Sequence, residues 1–145
     1  MCLIVDASVA AAFFCAEADP YVEALEAVKN GRCCIYYGGK LRREYAKARV
    51  VLMQVLMLDR AGKAKIFPDK EIDVATDLLK KARACRSDDP HIIALAQVSN
   101  CRLLFTNDRL LQTDFTNPHL VARPRGNIYK NSSHRDLIRR HCRRC

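Results

Sequence analysis

Short apolar runs alternate with helical patterns along this chain, and this alternation constrains the fold most. The runs Cys2–Val5, Cys33–Tyr37 and Arg102–Thr106 are too short for helices and lack the polar alternation of half-exposed strands. They therefore predict buried strands. Strands separated by helices favour an α/β domain, a layered sandwich of helices around a mostly parallel central sheet.

The segments between the strands have helical spacing or turn signals. A shorter apolar segment, Lys65–Phe67, suggests an edge strand, and Leu120–Val121 suggests a last strand. Helices are expected over Ser8–Phe14, Tyr21–Lys29, residues 40–60, Asp69–Ala84 and His91–Val98. The apolar stretch Val50–Leu58 fits either a helix-to-helix interface or plain core.

The length of 145 residues suits one domain, and 28% charged residues with 50% hydrophobic residues exclude a disordered or fibrous chain. No apolar run approaches the ~20 residues of a membrane span, so we expect a cytoplasmic protein. We accordingly expect its eight cysteines to be reduced, including Cys33 and Cys34 within an apolar run. The Cys142–Cys145 pair has metal-knuckle spacing, but a structural zinc site normally draws on two separated pairs.

Positive charge is concentrated at the end of the chain. The net charge is +9, and residues 120–145 hold eight of the 25 Lys and Arg residues with one acid, Asp136. This layout is typical of an arm that binds a polyanion, although a solvated tail without a ligand has the same composition. If the polyanion is RNA, the residues expected to contact it are Arg123, Arg125, Lys130, Arg135, Arg139 and Arg140.

Four acids fall where a parallel sheet binds ligands. Asp6 and Asp108 follow strands, Glu44 lies early in the helix after the second strand, and Asp89 begins a later helix. The carboxyl ends of parallel strands share one edge, so these side chains are expected to converge. Converging carboxylates need cations, and oxygen ligands favour Mg²⁺ or Mn²⁺, which activate water for attack on a phosphate.

Each acid also has a structural explanation. Asp89 precedes Pro90 and would be an N-cap, and Asp108 would cap the following turn. Glu44 would pair with Lys40 or Lys47 on the helix surface. Asp6 is the hardest to explain in this way, because a carboxylate at the end of a buried strand usually has a partner or a role.

The same residues resemble the PIN-domain nucleases, in particular those of bacterial toxin–antitoxin systems. Leu3-Ile-Val-Asp6-Ala-Ser8 resembles the opening strand with its first catalytic Asp, and Phe105-Thr-Asn-Asp108 resembles the T-x-D motif. Asp89-Pro-His-Ile-Ile-Ala-Leu-Ala96 is similar to the segment that carries the third acid, and Glu44 takes the place of the second. The resemblance covers residues 1–123 and leaves residues 124–145 as a basic C-terminal tail.

This resemblance implies a PIN-like three-layer α/β/α sandwich and Mg²⁺- or Mn²⁺-dependent cleavage of RNA. Asp6, Glu44, Asp89 and Asp108 would be both catalytic and metal-binding, with Ser8 and Thr106 supporting them. A homodimer and a neutralising antitoxin protein are the implied partners. Asp114 stands later than the extra acid that the family often has, and Asp88 replaces Asp89 if the helix register differs.

A second hypothesis comes from the class of binding modules. A PIN-fold protein without catalysis would serve as an RNA-binding or scaffold module. RNA binding that persists in EDTA without cleavage would favour it over the nuclease. Receiver domains and haloacid-dehalogenase phosphatases are disfavoured, because Ala7 and Ser8 stand where their further acids would follow Asp6.

Overall fold

The structure is a computed structural model that describes residues 2–17 and 20–141. Its strands are β1 (Ile4–Val5), β2 (Ile35–Gly38), β3 (Ala64–Phe67), β4 (Leu103–Phe105) and β5 (Asn127–Ile128). Its α-helices are α1 (Ala7–Phe14), α2 (Val22–Lys29), α3 (Gly39–Tyr45), α4 (Arg49–Arg60), α5 (Asp69–Lys81), α6 (Pro90–Ser99), α7 (Arg109–Phe115) and α8 (Arg135–His141). A 3₁₀ turn at Ser132–His134 precedes α8.

The strands pair in parallel. β1 and β5 flank β4, and β2 pairs with β3. A parallel bridge between Leu3 and Ile35 joins the two groups, with Leu3 N donating to Cys34 O at 2.9 Å and Tyr36 N donating to Leu3 O at 3.0 Å. The resulting strand order is β3-β2-β1-β4-β5. The expected α/β class with parallel strands is therefore confirmed, with helices packed on the sheets.

The core follows from the apolar runs. β1 and β4 are buried along their whole length, which explains why their sequences do not alternate. α6 is buried from Pro90 to Ala96, so it lies inside the fold and presents no broad polar face there. The predicted site acids Asp6 and Asp108 therefore follow strands that are buried in the core.

The long helix predicted over residues 40–60 is two helices. α3 ends at Tyr45, and the chain turns before α4 starts at Arg49, with Ala48 in an extended conformation. Tyr45 is fully buried and its hydroxyl donates to the carbonyl of Val5, which ties α3 to the end of β1. Helical periodicity alone did not detect this break, because the apolar spacing continues through it.

α4 divides the apolar stretch Val50–Leu58 between core and surface. Val51 and Val55 are buried, whereas Val50, Met53 and Met57 are 57%, 52% and 60% exposed. One face of α4 therefore belongs to the core, and the opposite face is exposed.

The prediction of a last strand at Leu120–Val121 is wrong. The backbone amides of both residues donate to Asn117 O, at 3.0 and 2.9 Å, and so form a turn. The last strand is β5, which pairs with β4 through Leu103–Asn127 and Leu104–Ile128.

The basic C-terminal segment is packed on the domain as far as residue 141. β5 extends the sheet, and the ring of the fully buried Tyr129 lies 5.3 Å from that of Phe105. On α8, Ile138 is buried and Arg135 lies 3.7 Å from Glu23 of α2. The predicted boundary after residue 123 thus does not separate this segment from the sheet.

The cysteines differ in part from the expectation of reduced thiols. Cys2, Cys15, Cys85 and Cys101 are free, but Cys33 and Cys34, which are both buried, are disulfide-bonded. Buried apolar surroundings therefore did not identify which sulfurs were bonded. The Cys142–Cys145 pair lies outside the described residues.

Within residues 2–17 and 20–141, no helix has the length and apolar character needed to cross a membrane.

Candidate metal centre

One half of the candidate site joins the ends of β1 and β4. Asp6 is 5% exposed, and its Oδ2 accepts hydrogen bonds from Thr106 Oγ1 at 2.8 Å and from Ser8 Oγ. Thr106 Oγ1 in turn accepts from the backbone N–H of Asp108 at 3.1 Å. A single hydroxyl thus connects the two acids that follow these strands, as expected for adjacent parallel strands.

The other half joins α3 to the start of α6. His91 Nε2 lies 3.1 Å from Glu44 Oε2, and His91 Nδ1 lies 3.8 Å from Asp89 Oδ1. One ligand atom from each of these three side chains lies within 4.8 Å of the other two. His91 is buried, while the side chains of Glu44 and Asp89 are 18% and 28% exposed. The group is therefore open to solvent on its carboxylate side.

Electrostatic coupling connects the two halves. Burial raises the pKa of Asp89, and the charges of Asp6 and Glu44 raise it further, while His91 acts in the opposite direction. Burial also raises the pKa of Tyr45 well above its ordinary value, with Asp6 and Glu44 as the next causes. The charges of Asp6 and Glu44 thus act on both Asp89 and Tyr45.

Asp89 does not act as the side-chain cap that its position before Pro90 predicts. It occupies the N-cap position of α6 but makes no side-chain capping hydrogen bond, and only its carbonyl accepts from Ile92 N. Its carboxylate is turned toward His91 instead. Helix capping therefore does not explain the position of the Asp89 carboxylate.

The structural explanations hold for Asp108 and Glu44, at least in part. Asp108 Oδ1 accepts from the backbone N–H groups of Leu110 and Leu111, at 2.7 and 3.1 Å, and so caps α7. Glu44 Oε1 lies 3.4 Å from Lys40 Nζ in the expected i,i+4 pair. The opposite oxygen of Glu44 faces His91, so the surface pair does not account for the whole carboxylate.

The two additional acids lie in different surroundings. Asp114 is 2% exposed and accepts hydrogen bonds from two backbone amides: Arg86 N is shared between Oδ1 and Oδ2 at 3.0 and 2.9 Å, and Ser87 N donates to Oδ2 at 2.8 Å. It thereby holds the loop that leads to Asp89. Asp88 is exposed and lines a separate cleft with Lys80.

His91 is the residue that sequence reasoning missed. The segment around it was singled out for Asp89, and a histidine in an apolar helical run gives no signal of its own. Its position two residues after Asp89 places its ring between α6 and α3, where it bridges Glu44 and Asp89. Burial lowers the pKa of His91, which favours the neutral ring.

The basic residues predicted to contact RNA fall into three sets. Arg125 and Lys130 line a cleft of about 520 Å³ beside α7, together with Arg109. Arg135 and Arg139 lie on α8 near acids, 3.7 Å from Glu23 and 3.8 Å from Asp136. Arg123 and Arg140 are exposed. A cleft with three cations is thus a more concentrated positive surface than the paired arginines of α8.

Comparisons with protein-family models, with curated proteins and with solved structures return no match to this chain.

Proposed function

We propose that this protein is a metal-dependent endoribonuclease with a PIN-like fold, whose metal centre is built from Asp6, Glu44, Asp89 and Asp108. The observation that carries the proposal is the group formed by Glu44, Asp89 and His91, whose ligand atoms lie within 4.8 Å of one another. The charge of Asp6 acts on this group by raising the pKa of Asp89, and Thr106 Oγ1 links the Asp6 carboxylate to the backbone amide of Asp108. A parallel sheet with helices packed on it supports the fold assignment.

The chemistry of the donors fits a divalent ion. Several carboxylates held together without a cation repel one another, and the raised pKa of Asp89 reflects that repulsion as well as its burial. Bound Mg²⁺ or Mn²⁺ would supply a water activated for attack on phosphorus and would neutralise charge on the phosphate oxygens. Thr106 and Ser8 would hold Asp6 in its orientation through their hydroxyl donors.

The substrate class follows from the basic cleft beside α7. Arg109 directly follows Asp108, so the cleft adjoins the acid edge of the sheet. Phosphate backbones bind to such clusters of Arg and Lys, with affinity that falls as salt rises. We propose that this cleft, rather than α8, takes the RNA strand.

The resemblance also implies a homodimer and an antitoxin protein. The exposed face of α4, formed by Val50, Met53 and Met57, is the surface we propose for the second copy of the chain. Light scattering on the purified protein tests this, and Met53→Lys should shift a dimer to the monomer mass.

The decisive experiment is cleavage of end-labelled mixed RNA by the purified protein in Mn²⁺ or Mg²⁺. We expect cleavage that EDTA abolishes and that Asp6→Asn lowers by roughly a thousandfold, equivalent to about 4 kcal/mol of transition-state stabilisation. The matched control is Asp77→Asn, which alters an acid on α5 away from the site.

Two results would contradict the proposal. Wild-type activity in both Asp6→Asn and Asp108→Asn would remove the metal centre from the reaction. RNA binding that persists in EDTA, with no cleavage in any metal by a folded protein free of bound antitoxin, would favour the non-catalytic RNA-binding module.

A further inference from the structure

We infer that His91 supplies a nitrogen ligand through Nδ1, so that the centre takes a first-row transition-metal ion such as Mn²⁺ in preference to Mg²⁺. This inference rests on the metal centre of the proposed function. It adds a histidine ligand to the proposed carboxylates. It also predicts a preference for Mn²⁺ over Mg²⁺, which carboxylate ligands alone do not give.

The hydrogen bond to Glu44 fixes which ring nitrogen is available. A carboxylate only accepts, so Nε2 carries the hydrogen that points at Glu44 Oε2. Nδ1 of the neutral ring then presents a lone pair. That atom is buried and has no hydrogen-bond partner among the residues that the structure describes, and it lies 3.8 Å from Asp89 Oδ1.

An unpaired lone pair facing a carboxylate oxygen is unfavourable unless a positive charge lies between them. Two ligands that each lie about 2.1 Å from one ion are at most about 4.2 Å apart. The 3.8 Å separation of Nδ1 from Asp89 falls within that limit.

The arrangement also matches how proteins orient histidine ligands. A metal-bound imidazole almost always donates its other N–H to a carboxylate or a carbonyl, which fixes the ring and its tautomer. Glu44 Oε2 is in that position relative to Nε2. Glu44 then orients His91 rather than binding the same ion directly, in place of the ligand role that the resemblance implies for it.

A nitrogen ligand changes the preference among ions. Mg²⁺ favours oxygen ligands and near-ideal octahedral geometry, whereas imidazole is a common ligand for transition metals. The site should therefore bind Mn²⁺ more tightly than Mg²⁺, and the preference should depend on residue 91.

Pulsed electron paramagnetic resonance of Mn²⁺ bound to the full chain tests this directly. We expect a directly coordinated ¹⁴N signal in the wild type that becomes a ¹⁵N signal when only histidine is ¹⁵N-labelled. His91→Gln, which places an amide near Nε2 and removes Nδ1, should lose the signal and weaken Mn²⁺ binding by about tenfold or more. Its Mg²⁺ affinity should change less, as measured by competition.

The matched control is His119→Gln, because His119 is exposed on a turn outside the site. It should keep the nitrogen signal. If His91→Gln fails to fold, a histidine signal that persists in each of His119→Gln, His134→Gln and His141→Gln assigns the ligand to His91, and loss of the signal in one of them overturns the assignment.

The outcomes separate this inference from the proposed function. Bound Mn²⁺ without a nitrogen signal, in a protein that cleaves RNA, overturns the role of His91 and leaves the nuclease. A histidine signal in a protein that cleaves no RNA keeps the ligand and overturns the nuclease. Absence of Mn²⁺ binding overturns both.

Discussion

Asp6 and Asp114 are both nearly inaccessible carboxylates, yet their partners differ. Asp114 accepts hydrogen bonds from two backbone amides of one loop, and so its charge is compensated within the fold. Asp6 accepts from two side-chain hydroxyls and lies near enough to Asp89 to raise its pKa. The two acids are similarly buried. Their hydrogen-bond partners distinguish the structural role of Asp114 from the metal-binding role proposed for Asp6.

The two acids also cooperate. Asp114 fixes the amides of Arg86 and Ser87, and this loop delivers Asp89 to the site. A buried acid outside the proposed metal centre therefore positions one of its proposed ligands.

The largest expected effect on stability comes from Asp114→Asn. An amide offers one acceptor oxygen where the carboxylate offers two, and its NH₂ group faces backbone donors. Loss of charged hydrogen bonds should lower the free energy of unfolding by about 3 kcal/mol. Urea denaturation of the metal-free protein measures this, and an unchanged midpoint would refute the structural role.

The main effect of Asp6→Asn should be on the stabilisation that Mn²⁺ provides rather than on the stability of the metal-free protein. Mn²⁺ at 100 times its Kd should stabilise the wild type by about 2.7 kcal/mol, since only the folded state holds the site. Asp6→Asn should lose most of that stabilisation, whereas Asp114→Asn should gain stability from Mn²⁺ despite its lower baseline. Thermal unfolding with and without Mn²⁺ makes the comparison, and equal gains in wild type and Asp6→Asn would remove Asp6 from the site.

A smaller effect separates two buried threonines of similar shape. Thr106→Val removes the hydroxyl that connects Asp6 and Asp108, whereas Thr76→Val removes only a hydrogen bond to Ile72 O within α5. Both should cost about 1 kcal/mol of stability. Only Thr106→Val should also weaken Mn²⁺ binding, by about tenfold, in calorimetric titrations. Equal Mn²⁺ affinities would show that Thr106 does not orient the ligands.

The smallest effect concerns pH. The pKa of Asp89 is raised in the folded, metal-free protein above its ordinary value of 3.8, so the folded state holds this proton more tightly than the unfolded state. Its contribution to stability is present below pH 3.8 and is lost as pH rises through the folded pKa. In EDTA, Asp89→Asn should therefore become more stable relative to wild type as pH rises from 3.8. A difference that does not vary with pH would contradict this.

Sequence reasoning predicted the elements that carry the acids, because short buried strands and helical spacing are local properties. Lys65–Phe67 was placed at a sheet edge, and β3 does pair only with β2 among the described strands. The break after Tyr45 was missed because the apolar spacing continues through it, and the contact that ties Tyr45 to Val5, 40 residues away, is not visible in local sequence. β5 was misplaced because two residues without an apolar run become a strand only when β4 is available as a partner.

The sequence by itself determined that the chain is a parallel α/β domain with acids at the ends of two strands, since strand burial and residue order are written locally. Only the tertiary structure decided which acids lie beside other possible metal ligands and which are bound by the backbone. It turned Asp89 away from its cap toward His91, and it enclosed Asp114 in backbone amides. The reason is physical: the role of a carboxylate depends on the donors and charges around it, and folding brings those from distant parts of the chain.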